Sequence, residues 1–266
     1  MRKFSKALQA IFIASVFLML YLPIFIIIIL SFNDSQSGDS LTGFTLEWYL
    51  DIFREESLYK SILNSLIVAI YSTILATIFG VISAIGINAL SKKRKKQMML
   101  LNNIPMLNSE IVTGISVMLV FTMLLPIFPN IFGFTTMLVA HVFFTTPYVI
   151  LSVLPKLREM DNSLIEAAHD LGCPPIKAVY LILLPSIKMG IITGALLAFT
   201  MSIDDFVISY FTSGNGFSNF SNWIYARLGR KNFTPAAYAY NSLITIVTLI
   251  VVLVPNIKAA KKGGKK

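Results

Sequence analysis

The chain of 266 residues is strongly apolar: 56% of its residues are hydrophobic, 13% are charged, and its mean hydropathy is +0.75. This composition excludes an ordinary water-soluble domain and indicates a protein of the lipid bilayer. The net charge of +9 would favour nucleic acid in a soluble protein, but the basic residues lie where cytoplasmic loops are expected, so we expect no nucleic-acid partner.

Hydropathy predicts an all-α polytopic membrane protein with six spans, because a bilayer needs about 20 apolar residues per helix. We place these spans at about 8–32, 61–90, 98–125, 131–154, 186–211 and 238–257. The first span follows three basic residues but is too long for a signal peptide and has no cleavage site, so we expect it to be retained. One membrane domain, residues 1–266, accounts for the length.

Charge placement predicts the orientation of these spans, because cytoplasmic loops are enriched in lysine and arginine. Most basic residues lie before the first span, in the run 92–96, between 156 and 188, and in the short tail 258–266. The segment after the first span is acidic instead. Both termini are therefore expected in the cytoplasm.

The familiar catalytic motifs are missing from the sequence. It contains no phosphate-binding loop, no HExxH zinc pair and no GxSxG elbow, and its two histidines, His141 and His169, are far apart. Three classes remain: a cation channel that needs no partner, an intramembrane enzyme using Glu110, His141 and Asp204, or the membrane subunit of a transporter driven by a separate ATPase. Only the third explains the polar stretch between the fourth and fifth spans.

That stretch, about 155–185, begins with the signals of a short helix. Ser163 and Glu166 predict a capping box, in which the hydroxyl accepts from the Glu166 N–H and the carboxylate accepts from the Ser163 N–H. The helix would run through IEAAHDL, and Gly172 suits the left-handed residue that ends such a helix.

Prolines shape the second half of the same stretch. Pro174 and Pro175 prevent the first helix from continuing and suit the first turn of a second one. Pro185 is expected to separate this second helix from the fifth span. The sequence therefore predicts a helix, a corner and a second helix on the cytoplasmic side.

A spaced pattern covers both helices: EAA, three residues, G, nine residues, I, one residue, then LP. It resembles the cytoplasmic coupling loop of permease subunits in binding-protein-dependent ABC importers. The matching positions are Glu166, Ala167, Ala168, Gly172, Ile182, Leu184 and Pro185. The resemblance implies that the short helix docks on a separate ATPase subunit and transmits closure of the ATPase dimer to the spans; the alternative is a capped surface hairpin without a partner.

Three softer matches extend the resemblance: FTLEWYLDIF at 44–53, NSLIVAIYST at 64–73 and MSIDDFVISYFTSG at 201–214. They are similar to the second permease of spermidine/putrescine importers, the PotC type. This implies a polyamine-importing subunit in a bacterial cytoplasmic membrane, with a second homologous permease, an ATPase dimer and an extracytoplasmic substrate-binding protein as partners. ATP and magnesium would bind to the ATPase, and no cofactor to this chain. Another organic cation, a metal-carrying species or an oxyanion remain alternative solutes.

Acidic residues inside predicted spans are candidates for the substrate path, because a buried charge costs about 3 kcal/mol or more unless it faces a cavity or a partner. Their carboxylates suit ammonium groups, and nearby aromatic rings would add cation–π contacts. The predicted path comprises Glu110, Tyr148, Asp204, Asp205, Phe206 and Tyr210. Adjacent helical residues point about 100° apart, so we expect at most one of the two aspartates to face the path.

Structural roles compete with this interpretation. The aspartates would otherwise pair with arginine or asparagine groups of the second permease or cap contacts at the periplasmic face. Glu110 would otherwise pair with a basic group near the cytoplasmic face. For His141 we expect a hydrogen bond between helices rather than a role as a ligand. Gly190 and Gly194 predict close helix packing, although the spacing identifies no partner.

Overall fold

The described regular elements are helical, apart from an isolated antiparallel bridge between Asn33 and Phe44. The computed structural model describes residues 2–35, 40–161, 163–214, 216–228 and 234–263. The end of the predicted basic tail, 264–266, lies outside the described residues. The predicted all-α class is confirmed.

The structure contains twelve α-helices among its described residues. Those of the first part are α1 (Arg2–Leu30), α2 (Glu47–Arg54), α3 (Glu56–Ala89), α4 (Lys92–Leu107), α5 (Glu110–Leu124) and α6 (Phe134–Glu159). Those of the second part are α7 (Ser163–Asp170), α8 (Pro175–Ala178), α9 (Leu184–Ile203), α10 (Val207–Thr212), α11 (Phe220–Leu228) and α12 (Ala236–Gly263). A π-helical turn joins α8 to α9.

Four helical segments among the described residues are long and apolar enough to cross a membrane. They are Leu8–Leu30, Glu56–Ala89, Phe134–Glu159 and Pro175–Ile203. The pair α4 and α5 adds a fifth if it is counted as one segment, and the apolar part of α12, Ala236–Ile250, is shorter. The total of six spans therefore stays a prediction.

The third predicted span, 98–125, is not the continuous helix that the sequence suggests. Its two halves, α4 and α5, are bent by 101° relative to each other. Asn108 and Ser109 separate them with extended backbone, and Pro105 lies in the last turn of α4. Asparagine and serine compete with helical hydrogen bonds through their side chains, and proline removes an N–H, so the helix ends here.

The helix observed at the fifth predicted span, 186–211, begins and ends at other residues than predicted. The helix begins at Pro175 and stops at Ile203, and the chain becomes helical again only at Val207. Pro185 does not separate two helices, because the π-turn Val179–Leu183 precedes it: the Leu184 N–H bonds to the Val179 carbonyl, five residues back. This wider turn accommodates the proline within a continuous segment.

The start of α7 also differs from the prediction. Ser163 is the first helical residue, and its N–H donates to Asp161 Oδ1 over 2.9 Å instead of to Glu166. The predicted capping box is therefore wrong. Asp161 lies two residues before Ser163, where its short side chain reaches the amide without a helical turn between them.

The end of α7 forms as predicted. Gly172 has φ +77°, the Cys173 N–H donates to the Ala168 carbonyl, and the Gly172 N–H donates to the His169 carbonyl. These two bonds define a Schellman motif, which satisfies carbonyls at a helix C-terminus. Pro175 then opens α8 as its first residue.

The chain divides into two compact units, Met1–Lys60 with Ile224–Lys266, and Ser61–Trp223. In the first unit α12 packs against α1 and α2, and the Trp48 indole N–H donates to the Asn33 carbonyl over 2.7 Å. In the second unit α6 packs against α9, and α10 packs against α5 and α6.

Two glycines allow α9 to approach α6 closely. A Cβ atom at Gly190 would lie 2.9 Å from the Ser152 carbonyl oxygen, and one at Gly194 would lie 3.0 Å from Val149 Cα. A side chain at Gly190 would require α9 or α6 to shift, and one at Gly194 would require Val149 to move by a few tenths of an ångström. The GxxxG pair thus packs against α6 of the same chain.

Candidate functional site

A cavity of about 560 Å³ lies in the second unit, lined by both interrupted segments. Asn108 and Glu110 come from the break between α4 and α5, whereas Asp204 and Phe206 come from the break between α9 and α10. Helix α6 contributes Tyr148 to the wall. Interrupted helices commonly surround substrate sites in transporters, because their free backbone groups and polar side chains need a hydrated or liganded space.

Close packing of α5 against α10 brings the two breaks together. A Cβ atom at Gly114 would lie 2.8 Å from the Phe211 ring and 3.5 Å from Ile208 Cα. Glu110 occupies the first turn of α5, where the positive end of the helix dipole favours a negative charge. The side chain of Glu110 is exposed.

The two adjacent aspartates have different environments. Asp204 directly follows α9 and is exposed in the cavity wall. Asp205 is 9% exposed: its Oδ1 accepts from the Ile208 N–H over 3.3 Å and its Oδ2 from the Ser209 N–H over 2.7 Å. Asp205 thus satisfies N–H groups in the first turn of α10, and Asp204 is the carboxylate available to a ligand.

His141 lies in a buried polar network behind this break. Its Nδ1 is 2.6 Å from Ser202 Oγ and its Nε2 is 2.9 Å from Ser209 Oγ, while Asp205 Oδ2 lies 3.5 Å from Nε2. Asn219 Nδ2 donates to Ser209 Oγ over 2.8 Å. The predicted hydrogen bond of His141 between helices is confirmed, since its partners lie on α9 and α10.

Most of the predicted substrate-path residues meet in one place. The cavity is lined by Glu110, Tyr148, Asp204, Asp205 and Phe206. Tyr210 is not in the lining; its side chain is 51% exposed, and its ring centroid lies 5.7 Å from that of Phe206. The role of all six residues in transport stays a prediction.

Sequence reasoning did not identify the uncharged polar residues of the cavity. Asn108, Thr113 and Thr200 line it together with the acids. The Thr113 side chain is buried, and its hydroxyl has no hydrogen-bond partner in the described part of the chain. The polar pair Asn108–Ser109 inside an apolar segment is the sequence signal that would have indicated the break.

The charge of the cavity lining has one sign. Among the described lining residues there are three carboxylates and no lysine, arginine or histidine. The rings of Phe144, Tyr148 and Phe206 supply aromatic surface beside them. Such a cavity favours a cationic ligand with apolar segments.

The residues that resemble a coupling loop lie on α7, at the corner that follows it, and on the two turns after α8. Glu166 and Ala167 are exposed on α7, which has no fully buried residue among those described. Leu164 and Leu171 are 51% and 89% exposed. Ile182 lies in the π-turn, and Leu184 and Pro185 open α9. An exposed short helix with apolar side chains presents a surface for a partner.

Comparison with known proteins identifies the family. Residues 76–259 match the family described as "Binding-protein-dependent transport system inner membrane component". The spermidine/putrescine transport system permease protein PotC of Escherichia coli K12 is 30% identical over 258 residues, which cover 97% of this chain and 96% of that protein. PotC of Haemophilus influenzae is 31% identical over 256 residues, covering 96% and 98%.

Two further comparisons agree with these. The putrescine transport system permease protein PotI of Escherichia coli K12 is 34% identical over 231 residues, covering 86% of this chain and 82% of that protein. A crystal structure of a bacterial ABC transporter involved in the import of alginate, an acidic polysaccharide, has the same fold, with TM-score 0.71, 18% identity, and coverage of 97% and 96%. The chain therefore belongs to the family of inner-membrane components of binding-protein-dependent transport systems.

Proposed function

We propose that this chain is a permease subunit of an ATP-driven importer that carries polyamines such as spermidine and putrescine across a bacterial cytoplasmic membrane. The cavity is the observation that carries the substrate class, because its charged lining residues are all acidic among those described. The names of the similar permeases, PotC and PotI, specify the same solutes for those proteins.

The chemistry of a polyamine matches the cavity. Its ammonium groups would pair with the exposed carboxylates of Asp204 and Glu110, which are both in the lining. Its methylene segments would pack on Tyr148 and Phe206, whose ring faces also attract cations. The Thr113 hydroxyl would accept a hydrogen bond from an ammonium group. An oxyanion in this cavity would be repelled by the carboxylates, and no basic side chain of the described lining would pair with it.

The chain would work within a larger assembly. A second homologous permease would complete the path, an extracytoplasmic binding protein would deliver substrate, and an ATPase dimer would bind the two coupling loops. The single membrane domain 1–266 would cross the membrane six times with both termini in the cytoplasm. ATP and magnesium would act on the ATPase, and this chain would bind no cofactor.

Transport would proceed by alternating access. Closure of the ATPase dimer would move the coupling helices, α7 in this chain, towards each other and open the outer side of the path. Substrate would enter the cavity from the docked binding protein. Hydrolysis of ATP would then let the coupling helices separate and release the substrate inwards.

Uptake of radiolabelled spermidine and putrescine by cells with and without this gene tests the proposal. We expect uptake to require the gene and to be competed by unlabelled polyamines, but not by amino acids or oxyanions. Asp204→Asn and Glu110→Gln should each raise the half-saturating concentration about tenfold, the loss of one charge-assisted interaction. Glu56→Gln, which changes an exposed acid outside the cavity lining, is the matched control.

Unchanged polyamine uptake in cells without the gene, and without a second polyamine importer, would contradict the substrate. A loss of uptake that all three variants share would contradict the role of the cavity. Amounts of assembled complex, measured by co-purification of the ATPase, separate both outcomes from a failure to fold.

A further inference from the structure

His141 lies outside the lining of the cavity, yet it contacts both sides of the break that forms the cavity. Ser202 belongs to α9, before the break, and Ser209 belongs to α10, after it; both hydroxyls are within 2.9 Å of the imidazole. The His141 side chain, on α6, is fully buried. The imidazole therefore bridges the two ends of an interrupted helix from a third element.

Other elements hold the same break from further sides. Ser72 of α3 lies 2.9 Å from Ser202, hydroxyl to hydroxyl, with both side chains buried. Asn219, which precedes α11, donates to Ser209 Oγ over 2.8 Å and to the Asp205 carbonyl over 3.2 Å. The network thus connects α3, α6, α9 and α10.

One assignment of the hydrogens, with the hydrogen of His141 on Nδ1, gives every bond of this network one donor and one acceptor. Asn219 donates to Ser209, Ser209 to Nε2, Nδ1 to Ser202, and Ser202 to Ser72, whose own hydroxyl donates to the Ala69 carbonyl over 3.2 Å. A buried polar group without a partner is costly, so a complete network stabilises the geometry that completes it. Closing the break would separate these partners.

Both aspartates line the cavity, but only Asp204 is exposed in it. Asp205 is engaged with the first turn of α10. If residues 204–206 became helical, Asp204 would lie inside a continuous helix instead of at the end of α9, and residues 205–208, which line the cavity, would change position. The exposure of the Asp204 carboxylate in the cavity therefore depends on the break staying open.

We propose that His141 is a positioning residue for transport: through Ser202 and Ser209 it holds the α9–α10 break open and so keeps Asp204 exposed in the cavity. His141 itself would touch no substrate. The binding of an ammonium group at Asp204 rests on the proposed function, whereas the exposure of residue 204 does not.

Thiol labelling measures that exposure without any assumption about the substrate. Cys173 is the single cysteine, so Cys173→Ser with Asp204→Cys gives a chain whose only thiol is at position 204. The probe is a cationic methanethiosulfonate reagent, applied to the assembled complex in membranes and read on this subunit. We compare this chain with versions that also carry His141→Leu, His141→Asn or Ser209→Ala.

The matched control is Thr146→Val. Thr146 lies on α6 like His141, but its hydroxyl bonds within that helix, to the Val142 carbonyl. We expect His141→Leu to slow labelling at least about fivefold and Ser209→Ala to slow it less. His141→Asn, which can still donate to Ser202, should restore part of the rate, and Thr146→Val should leave it unchanged.

Equal labelling rates in all chains would overturn the proposal, as would equal slowing in Thr146→Val, which indicates general loosening of α6. If His141→Leu does not assemble, the labelling rate of the Ser209→Ala chain decides: an unchanged rate overturns the positioning role.

Transport gives a second measurement. With Asp204 restored, His141→Leu should raise the half-saturating spermidine concentration about tenfold at a nearly unchanged maximal rate. Absence of polyamine uptake in the wild type would contradict the proposed function while leaving the labelling result to decide this inference.

Discussion

The corner after α7 and the cavity at the α9–α10 break both interrupt helices, but contacts of different range hold them in place. At the end of α7 the defining bonds join Ala168 to Cys173 and His169 to Gly172, a few residues apart. At the α9–α10 break they join residues 61 positions apart, His141 and Ser202, and 130 positions apart, Ser72 and Ser202. The corner after α7 is therefore defined by contacts within a few residues of the chain, whereas the cavity requires the second unit to be folded around it.

The largest effect should come from the buried aspartate of the cavity. Asp205→Ala leaves two N–H groups of α10 without their acceptor, so we expect a loss of about 2–3 kcal/mol of stability. Thermal unfolding of the purified complex measures this loss. Asp204→Ala, at the neighbouring exposed position, should cost less than about 0.5 kcal/mol. Similar midpoints for the two variants would show that their environments do not differ as described.

The next effect concerns the end of α7. Gly172 has a positive φ, and no atom of the described residues beyond its chain neighbours lies within 4 Å of an added Cβ, so backbone strain is what opposes a side chain there. Gly172→Val should cost about 1–2 kcal/mol locally and reduce co-purification of the ATPase while membrane insertion persists. Gly172→Asn is the control, because asparagine tolerates left-handed backbone. Equal ATPase recovery in both variants would contradict a docking role for this corner.

A smaller effect should separate binding from stability within the cavity. Thr113→Val removes a buried hydroxyl that has no partner in the described part of the chain. Stability should stay constant or rise slightly, since no hydrogen bond is lost in the empty protein. The half-saturating spermidine concentration should rise several-fold if the hydroxyl contacts the substrate. Unchanged transport kinetics would exclude Thr113 from the path.

The smallest effect should appear at the start of α7. Hydrogen bonds from Ser163 lower the pKa of the exposed Asp161 carboxyl below its ordinary value. Its stabilising contribution is present above the ordinary pKa, about 3.9, and is lost as the pH falls through the lowered folded-state pKa. Hydrogen exchange of α7, corrected for intrinsic rates, should therefore accelerate only below about pH 4. Asp161→Ala should abolish that dependence; if it persists, another group is responsible.

The same difference between local and distant contacts explains how far the sequence could be interpreted. Gly172 and Pro175 predict the corner after α7 because each acts on its own backbone. The break at Asp204 is not predicted, because the apolar window from 186 to 211 predicts one helix. The imidazole that contacts both sides of the break belongs to His141 on α6, which is distant in sequence. The capping box failed for a local reason: Asp161 competes with Glu166 for the Ser163 amide.

The candidate substrate-path residues were predicted from charge, whereas the spans were predicted from hydropathy. Charges within apolar segments identified Glu110, Asp204 and Asp205, all of which line one cavity. Hydropathy could not show that Asp205 is engaged with α10, or that Tyr210 lies away from the lining. Those distinctions depend on the direction of each side chain after the helix breaks, which composition does not encode.

The most direct test of the central claim is a cryo-electron microscopy structure of the assembled importer with its binding protein, trapped during transport with spermidine. We predict density for the polyamine between the α4–α5 and α9–α10 breaks, with a nitrogen within about 3 Å of an Asp204 oxygen. Spermidine density that contacts neither Asp204 nor Glu110 would contradict the assignment of this cavity as the substrate path.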